Sequence, residues 1–122
     1  MRFQALIRTH HITSRKKVAT LKRAADTHQC FVLLRSGGCP GIMYVEGNEQ
    51  TNVESWVAVV RKLRYKDFQL VGRPGAIEPE GQQDILPDVQ EGLSEVESVK
   101  EFGDWCQKRG IWQWWRKSMG YA

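Results

Sequence analysis

Over residues 2–73 the apolar side chains recur first every second residue and then every third or fourth, and the succession is repeated after a strand pair, which limits the fold more than any other feature. Residues 2–11 place Phe3, Ala5 and Ile7 on one side and Gln4, Leu6, Arg8 and His10 on the other, as a strand with one buried face does; Leu6 blurs the alternation. Thr13 or Ser14 supplies a helix cap. Val18, Leu21 and Ala25 then recur at helical spacing, with Arg15, Lys16, Lys17, Lys22 and Arg23 mainly in the positions between, so the helix is amphipathic and strongly basic. Cys30 to Leu34 is continuously apolar, Ser36-Gly37-Gly38-Cys39-Pro40-Gly41 carries turn chemistry, and Ile42-Met43-Tyr44-Val45 resumes a strand, which together read as a hairpin closed by Gly47. Asn48 to Asn52 offers caps for a second helix with Val53, Trp56, Val57, Val60 and Leu63 on one stripe. Phe68 to Val71 is the last strand, ended by Arg73-Pro74-Gly75.

The order β, α, β, β, α, β predicts an α+β domain of ferredoxin-like topology: a four-stranded antiparallel sheet with two helices on one face. Right-handed crossovers put both helices on the same side and leave the other face for a partner, a ligand or the C-terminal helix. A chain of 122 residues fits one domain with one core, divided as a ferredoxin-like core over 1–73, a flexible loop over 74–94 and a C-terminal helical extension over 95–122. The loop is inferred from Pro74, Pro79, Pro87, Gly75, Gly81 and Gly92 in a stretch without sustained period. Val99, Phe102 and Cys106 restore helical spacing, Gly110 interrupts it, and Ile111 to Met119 forms a short aromatic helix or turn. No apolar run approaches the roughly 18–20 residues that cross a bilayer, so no membrane partner is expected and the expected location is intracellular, nuclear or cytoplasmic.

Charge divides the chain unevenly. Residues 1–75 hold 13 Lys/Arg against 5 Asp/Glu, while residues 76–122 hold 5 against 9. The first part therefore attracts polyanions, unless its cations are merely the solvated faces of helices. Cys30, Cys39 and Cys106 form neither a disulfide framework nor a four-cysteine zinc site. A mixed site of His10, His11, His28 and Cys30 is disfavoured, because adjacent histidines on a strand point to opposite faces. No metal or cofactor is expected.

Gly38-Cys39-Pro40-Gly41-Ile42-Met43-Tyr44-Val45-Glu46-Gly47, the Val53 to Leu63 helix and Leu63-Arg64-Tyr65-Lys66 form a pattern of Pro-Gly, apolar residues, Val-Glu-Gly, an aromatic-bearing helix and Leu-x-aromatic-Lys. His10-His11-Ile12-x-Ser14-x-x-Lys17 precedes it. The pattern resembles the domain often found C-terminal to RWD domains, itself related to the C-terminal domain of the spliceosomal pre-mRNA-processing factor three. The likeness covers roughly residues 7–73 and, more loosely, 97–120. It implies a ferredoxin-like fold and, for the splicing-factor relatives, recognition of small nuclear RNA.

Non-catalytic binding is the function expected, with RNA the first partner. Arg8, His10, Arg15, Lys16, Lys17, Lys22, Arg23 and Arg35 are the candidate phosphate contacts, and Tyr44 offers one ring for base stacking if its sheet face is outward. The alternative is a protein-interaction or self-association module built on Trp112, Trp114 and Trp115, which a single helical stripe cannot all hide. Catalysis finds little footing. Glu46 has no second acid or nucleophile beside it and reads as a structural ion-pair or capping group, Gly37-Gly38 matches neither a P-loop nor a dinucleotide fingerprint, and no acylphosphatase-type phosphate loop follows the first strand.

Overall fold

A computed structural model describes residues 1–78, 80 and 89–121. The elements are β1 (Phe3–Thr9), α1 (Arg15–Thr27), β2 (Phe31–Arg35), β3 (Gly41–Gly47), α2 (Gln50–Lys62), β4 (Gln69–Ala76), β5 (Gly92–Val96), α3 (Val99–Arg109) and α4 (Trp112–Met119). The sheet is five-stranded, in the order β4-β1-β3-β2-β5; β5 runs parallel to β2 and every other pairing is antiparallel. The fold is thus α+β, but the sheet is mixed and one strand larger than the four-stranded antiparallel one expected.

The difference arises at 74–94. β4 continues through Pro74 to Ala76, which an outermost strand tolerates because a missing N–H on its free side breaks no ladder. β5 was hidden in the sequence by its composition: Gly92-Leu93-Ser94-Glu95-Val96 is short and half polar, and its strand character comes from pairing with β2 in the register Phe31↔Gly92 to Arg35↔Val96. Pro79, Gly81 and Pro87, on which the loop expectation also rested, lie outside the described residues.

The sheet separates two apolar clusters instead of bounding one core. On one face α1 and α2 pack Val18, Leu21, Ala25, Val53, Trp56, Val57 and Val60 against Ala5, Ile7, Val32, Leu34, Met43 and Val45. Ser14 caps α1 by accepting a hydrogen bond from the Lys17 amide at 3.2 Å, and Trp56 Nε1 donates to the Leu21 carbonyl at 3.2 Å, joining the two helices. On the other face α3 and α4 bring Phe102, Cys106, Ile111, Trp115 and Met119 over Leu6, Phe31, Leu33, Ile42 and Tyr44. Covering both faces explains two irregularities of the sequence. Leu6 breaks the alternation because its side is buried too, and Cys30 to Leu34 is unbroken because neither side of β2 meets water. Each fully buried side chain of this size contributes about 1.5–3 kcal/mol.

Ser98 caps α3, its Oγ accepting from the Glu101 amide and donating to the Glu101 carboxylate, both at 3.0 Å, and Gly110 ends the helix at φ 82°. Gly72 and Gly103 allow tryptophan rings to approach, since a Cβ would lie 2.7 Å from Trp114 Cζ2 and 2.9 Å from Trp115 Cζ3 respectively. No helix among the described residues is long and apolar enough to cross a membrane.

Candidate nucleic-acid interface

Helix α1 turns its cations outward for the same reason that it packs: Val18, Leu21, Ala24 and Ala25 occupy the stripe against the sheet, and the charged positions between them remain in water. Arg15, Lys16, Lys22 and Arg23 are exposed, and Lys17 is half-buried. Arg15 Nη1 and Nη2 lie 3.1 and 2.8 Å from the two oxygens of Glu95, and Ser36 Oγ donates to the same carboxylate at 2.7 Å. The hydrogen bond from Arg15 is the main force holding the Glu95 carboxyl below its ordinary range, with Ser36 adding to it against a partial burial that works the other way. Among the described residues no carboxylate lies within ion-pair distance of Lys16, Lys22 or Arg23.

Arg8 and Arg35 stand on either side of Ile42 in the ladder, on the sheet face that α3 and α4 cover. Arg35 is occupied with architecture. Its Nε donates to the Glu97 carbonyl and its Nη1 to the Pro40 carbonyl, both at 2.9 Å, tying two chain segments to the end of β2. Arg8 instead walls an open cleft of about 520 Å³ together with His10, Cys39, Asp67, Gln69 and Tyr121.

In that cleft His10 Nδ1 lies 3.6 Å from Asp67 Oδ2 and 3.7 Å from Cys39 Sγ. Both neighbours meet the same ring nitrogen. A nucleophilic relay needs the base to face the thiol with one nitrogen and its orienting carboxylate with the other, so this arrangement does not form one. The rings of His10 and His11 are 4.0 Å apart, because the two residues follow the end of β1 instead of continuing its alternation. Cys30 is buried elsewhere, its thiol against the His28 carbonyl, and no three metal-ligating side chains among the described residues are placed to hold an ion.

His10 also borders a second, smaller cleft, with His11, Thr13, Ser14, Lys17, Tyr65 and Lys66. The His10 amide donates to the Lys66 carbonyl at 2.9 Å, fastening the end of β1 to the turn after α2. Arg64 and Asp67, both at φ 56°, bend that turn on either side of Tyr65 and Lys66. The segments around His10 and around Tyr65 thus meet in space. Tyr65 and Lys66 were not among the candidate contacts, since more than fifty residues separate them from Ser14 and only the fold brings them together.

Tyr44 is not available for stacking. It is fully buried, its ring beside Trp105 and Trp114, at centroid distances of 5.2 and 6.1 Å, under α3 and α4. Its hydroxyl donates to Glu46 Oε1 at 2.7 Å, and burial first, then the Glu46 charge, pushes its ionisation well above the ordinary range. Glu46 is likewise fully buried and is paired with Arg109, itself buried, and with Arg2. The structural ion pair expected of Glu46 is therefore present, and its main partner comes from α3.

Of the tryptophans proposed for partner contact, Trp115 is buried, stacked on Phe102 and edge-on to Tyr121, so it offers no ring to a partner. Trp112 and Trp114 are half-buried, the first under the Arg116 guanidinium and the second against Tyr44. No protein-family model matches the chain, and no curated protein matches it.

Proposed function

We propose that the protein is a non-catalytic domain that binds RNA, through a basic surface running from Arg8 and His10 across the first turn of α1 to Lys16, Lys22 and Arg23. We further take β1 to β4 with α1 and α2 as a ferredoxin-like unit inside the larger sheet, in keeping with the order β4-β1-β3-β2, and the chain as a relative of the RWD-associated domains. One observation carries the reading: three exposed cations on one helix have no carboxylate partner among the described residues, so phosphates can approach without first displacing an acid. Because the sheet is covered on both faces, contact is with the phosphate backbone rather than by base stacking on the sheet, and little preference for base sequence follows.

The test is a titration of single-stranded RNA at several salt concentrations. The wild-type affinity falls steeply with salt. In a Lys16→Glu, Lys22→Glu, Arg23→Glu variant the slope of log K against log salt decreases by about 2, since each lost phosphate contact removes about 0.7. Absence of RNA affinity at low salt, or wild-type behaviour of the triple variant, removes this function. A partner bound through Trp112 and Trp114 has less support, because both rings are already engaged within the protein.

A further inference from the structure

The cleft between the start of α1 and the turn after α2 contains a donor without an acceptor. Tyr65 is only 8% exposed and lines the cleft, yet its hydroxyl is buried with no hydrogen-bond partner among the described residues. Ser14 and Lys17, at the N-terminal turn of α1, line the same cleft as Tyr65. A buried unpaired hydroxyl costs free energy unless something completes it. Burial keeps this one protonated, its ionisation pushed up to about 12, so what is missing is an acceptor.

The surroundings fit an acceptor that is an anion. Ser14 caps the Lys17 amide and leaves the amides of Arg15 and Lys16 at the positive end of the helix dipole. Lys17 Nζ sits 4.8 Å above the Tyr65 ring, and Lys66, His10 and His11 complete the rim. No acidic side chain lines the cleft among the described residues, and Glu95 and Asp67 are paired with Arg15 and His10. The cleft is about 180 Å³, below the roughly 300–1,000 Å³ of sites that enclose a whole small molecule, and suits one tetrahedral anion with its substituent left outside.

We propose that this cleft binds a single phosphate group, held by the Tyr65 hydroxyl and by Lys17 at the positive end of α1. The source of the phosphate rests on the RNA-binding reading: it is one phosphate of the strand whose neighbours lie along the outer face of α1. The site would then fix the register of a strand that the exposed lysines and arginines only attract.

The experiment titrates inorganic phosphate into the protein at constant ionic strength, with chloride as the balancing anion, and follows the backbone amide resonances. Saturable shifts at Arg15, Lys16 and Lys17 are expected, weakened about tenfold or more in Tyr65→Phe, since the variant loses one hydrogen bond to a charged acceptor. Tyr65→Phe should melt at or above the wild-type temperature, because it deletes an unpaired polar group and keeps the ring; Lys17→Gln, at a half-buried surface position, provides an independent second variant. Shifts no larger than those from chloride alone, or a Tyr65→Phe protein with wild-type phosphate affinity, overturn the site. Competition between RNA and phosphate supports the strand as the source. Tyr65-dependent phosphate binding without RNA affinity supports the site and overturns the RNA source, whereas RNA affinity that ignores Tyr65→Phe but is lost with the α1 charge reversals leaves RNA binding standing and overturns the site's place in it.

Discussion

The two faces of the sheet are held by different chemistry. Under α1 and α2 the contacts are mostly aliphatic, with Trp56 their one fully buried indole, and they come from elements adjacent along the chain. Under α3 and α4 aliphatic side chains are interleaved with many rings, those of Phe31, Tyr44, Phe102, Trp105, Trp114 and Trp115, and the face contains a buried polar network of Glu46, Arg109, Tyr44 and Gln4. Aliphatic packing tolerates volume-conserving exchange. A buried ion pair does not tolerate the loss of one partner, and large rings demand gaps of fixed shape. The second face is therefore the less tolerant of substitution.

The sharpest way to break this contrast is Arg109→Met. It leaves Glu46 in the interior without its main counter-charge, so a loss of about 3–5 kcal/mol in urea-induced unfolding is expected. The volume-conserving exchange Leu21→Met at the other face should cost less than about 1.5 kcal/mol. If Arg109→Met costs no more than Leu21→Met, the network is not what holds α3 in place. Gly103→Ala is a smaller probe of the same face. Its new methyl would meet the Trp115 ring at 2.9 Å, an overpacking of about 1–3 kcal/mol, partly offset by up to about 1 kcal/mol of better helix propensity. A stabilised variant would show that the ring moves freely.

Alkaline pH sharpens the comparison least, because both faces respond in the same direction. Burial raises the Cys30 thiol from the usual 9.0 to about 11 and lifts the Tyr44 hydroxyl well above 10. A raised value in the folded state gives stability that is complete below the unfolded value and is lost as the pH climbs through the folded one. The urea midpoint should thus fall between pH 9 and 11, and Cys30→Ala should flatten that decline on the aliphatic face. An unchanged slope in this variant would show that the thiol ionises as readily folded as unfolded. In native protein near neutral pH only Cys39 of the three thiols should react promptly with a disulfide reagent, and Cys39→Ser should abolish the fast phase.

The first face was readable because its periodicities are long and its connections local. Val18, Leu21 and Ala25 announced α1, Val53 to Val60 announced α2, and the cap of α1 was narrowed to Thr13 or Ser14, of which the structure uses Ser14. The second face was only half readable. The parity that puts Ile42, Tyr44 and Glu46 together can be read from β3 alone, but parity does not say which side is roofed. Leu6 and the unbroken run Cys30 to Leu34 held that information as departures from alternation. β5 escaped because pairing with β2, not its own composition, makes it a strand. For the candidate site, the exposed cations of α1 were legible from helical spacing. The Tyr65 cleft was not, since a hydroxyl without a partner exists only once Ser14 and Tyr65 have been brought together.

The order of the strands has a consequence for the growing polypeptide. β4 and β5 follow one another in sequence yet occupy opposite borders of the sheet, and the helices that roof Leu6, Leu33, Ile42 and Tyr44 come after β4. A ribosome that has released residues 1–76 has therefore delivered four strands and two helices with one greasy side still open. Until α3 and α4 emerge, that side is the nascent chain's point of vulnerability, the place where a chaperone or a second unfinished copy would adhere.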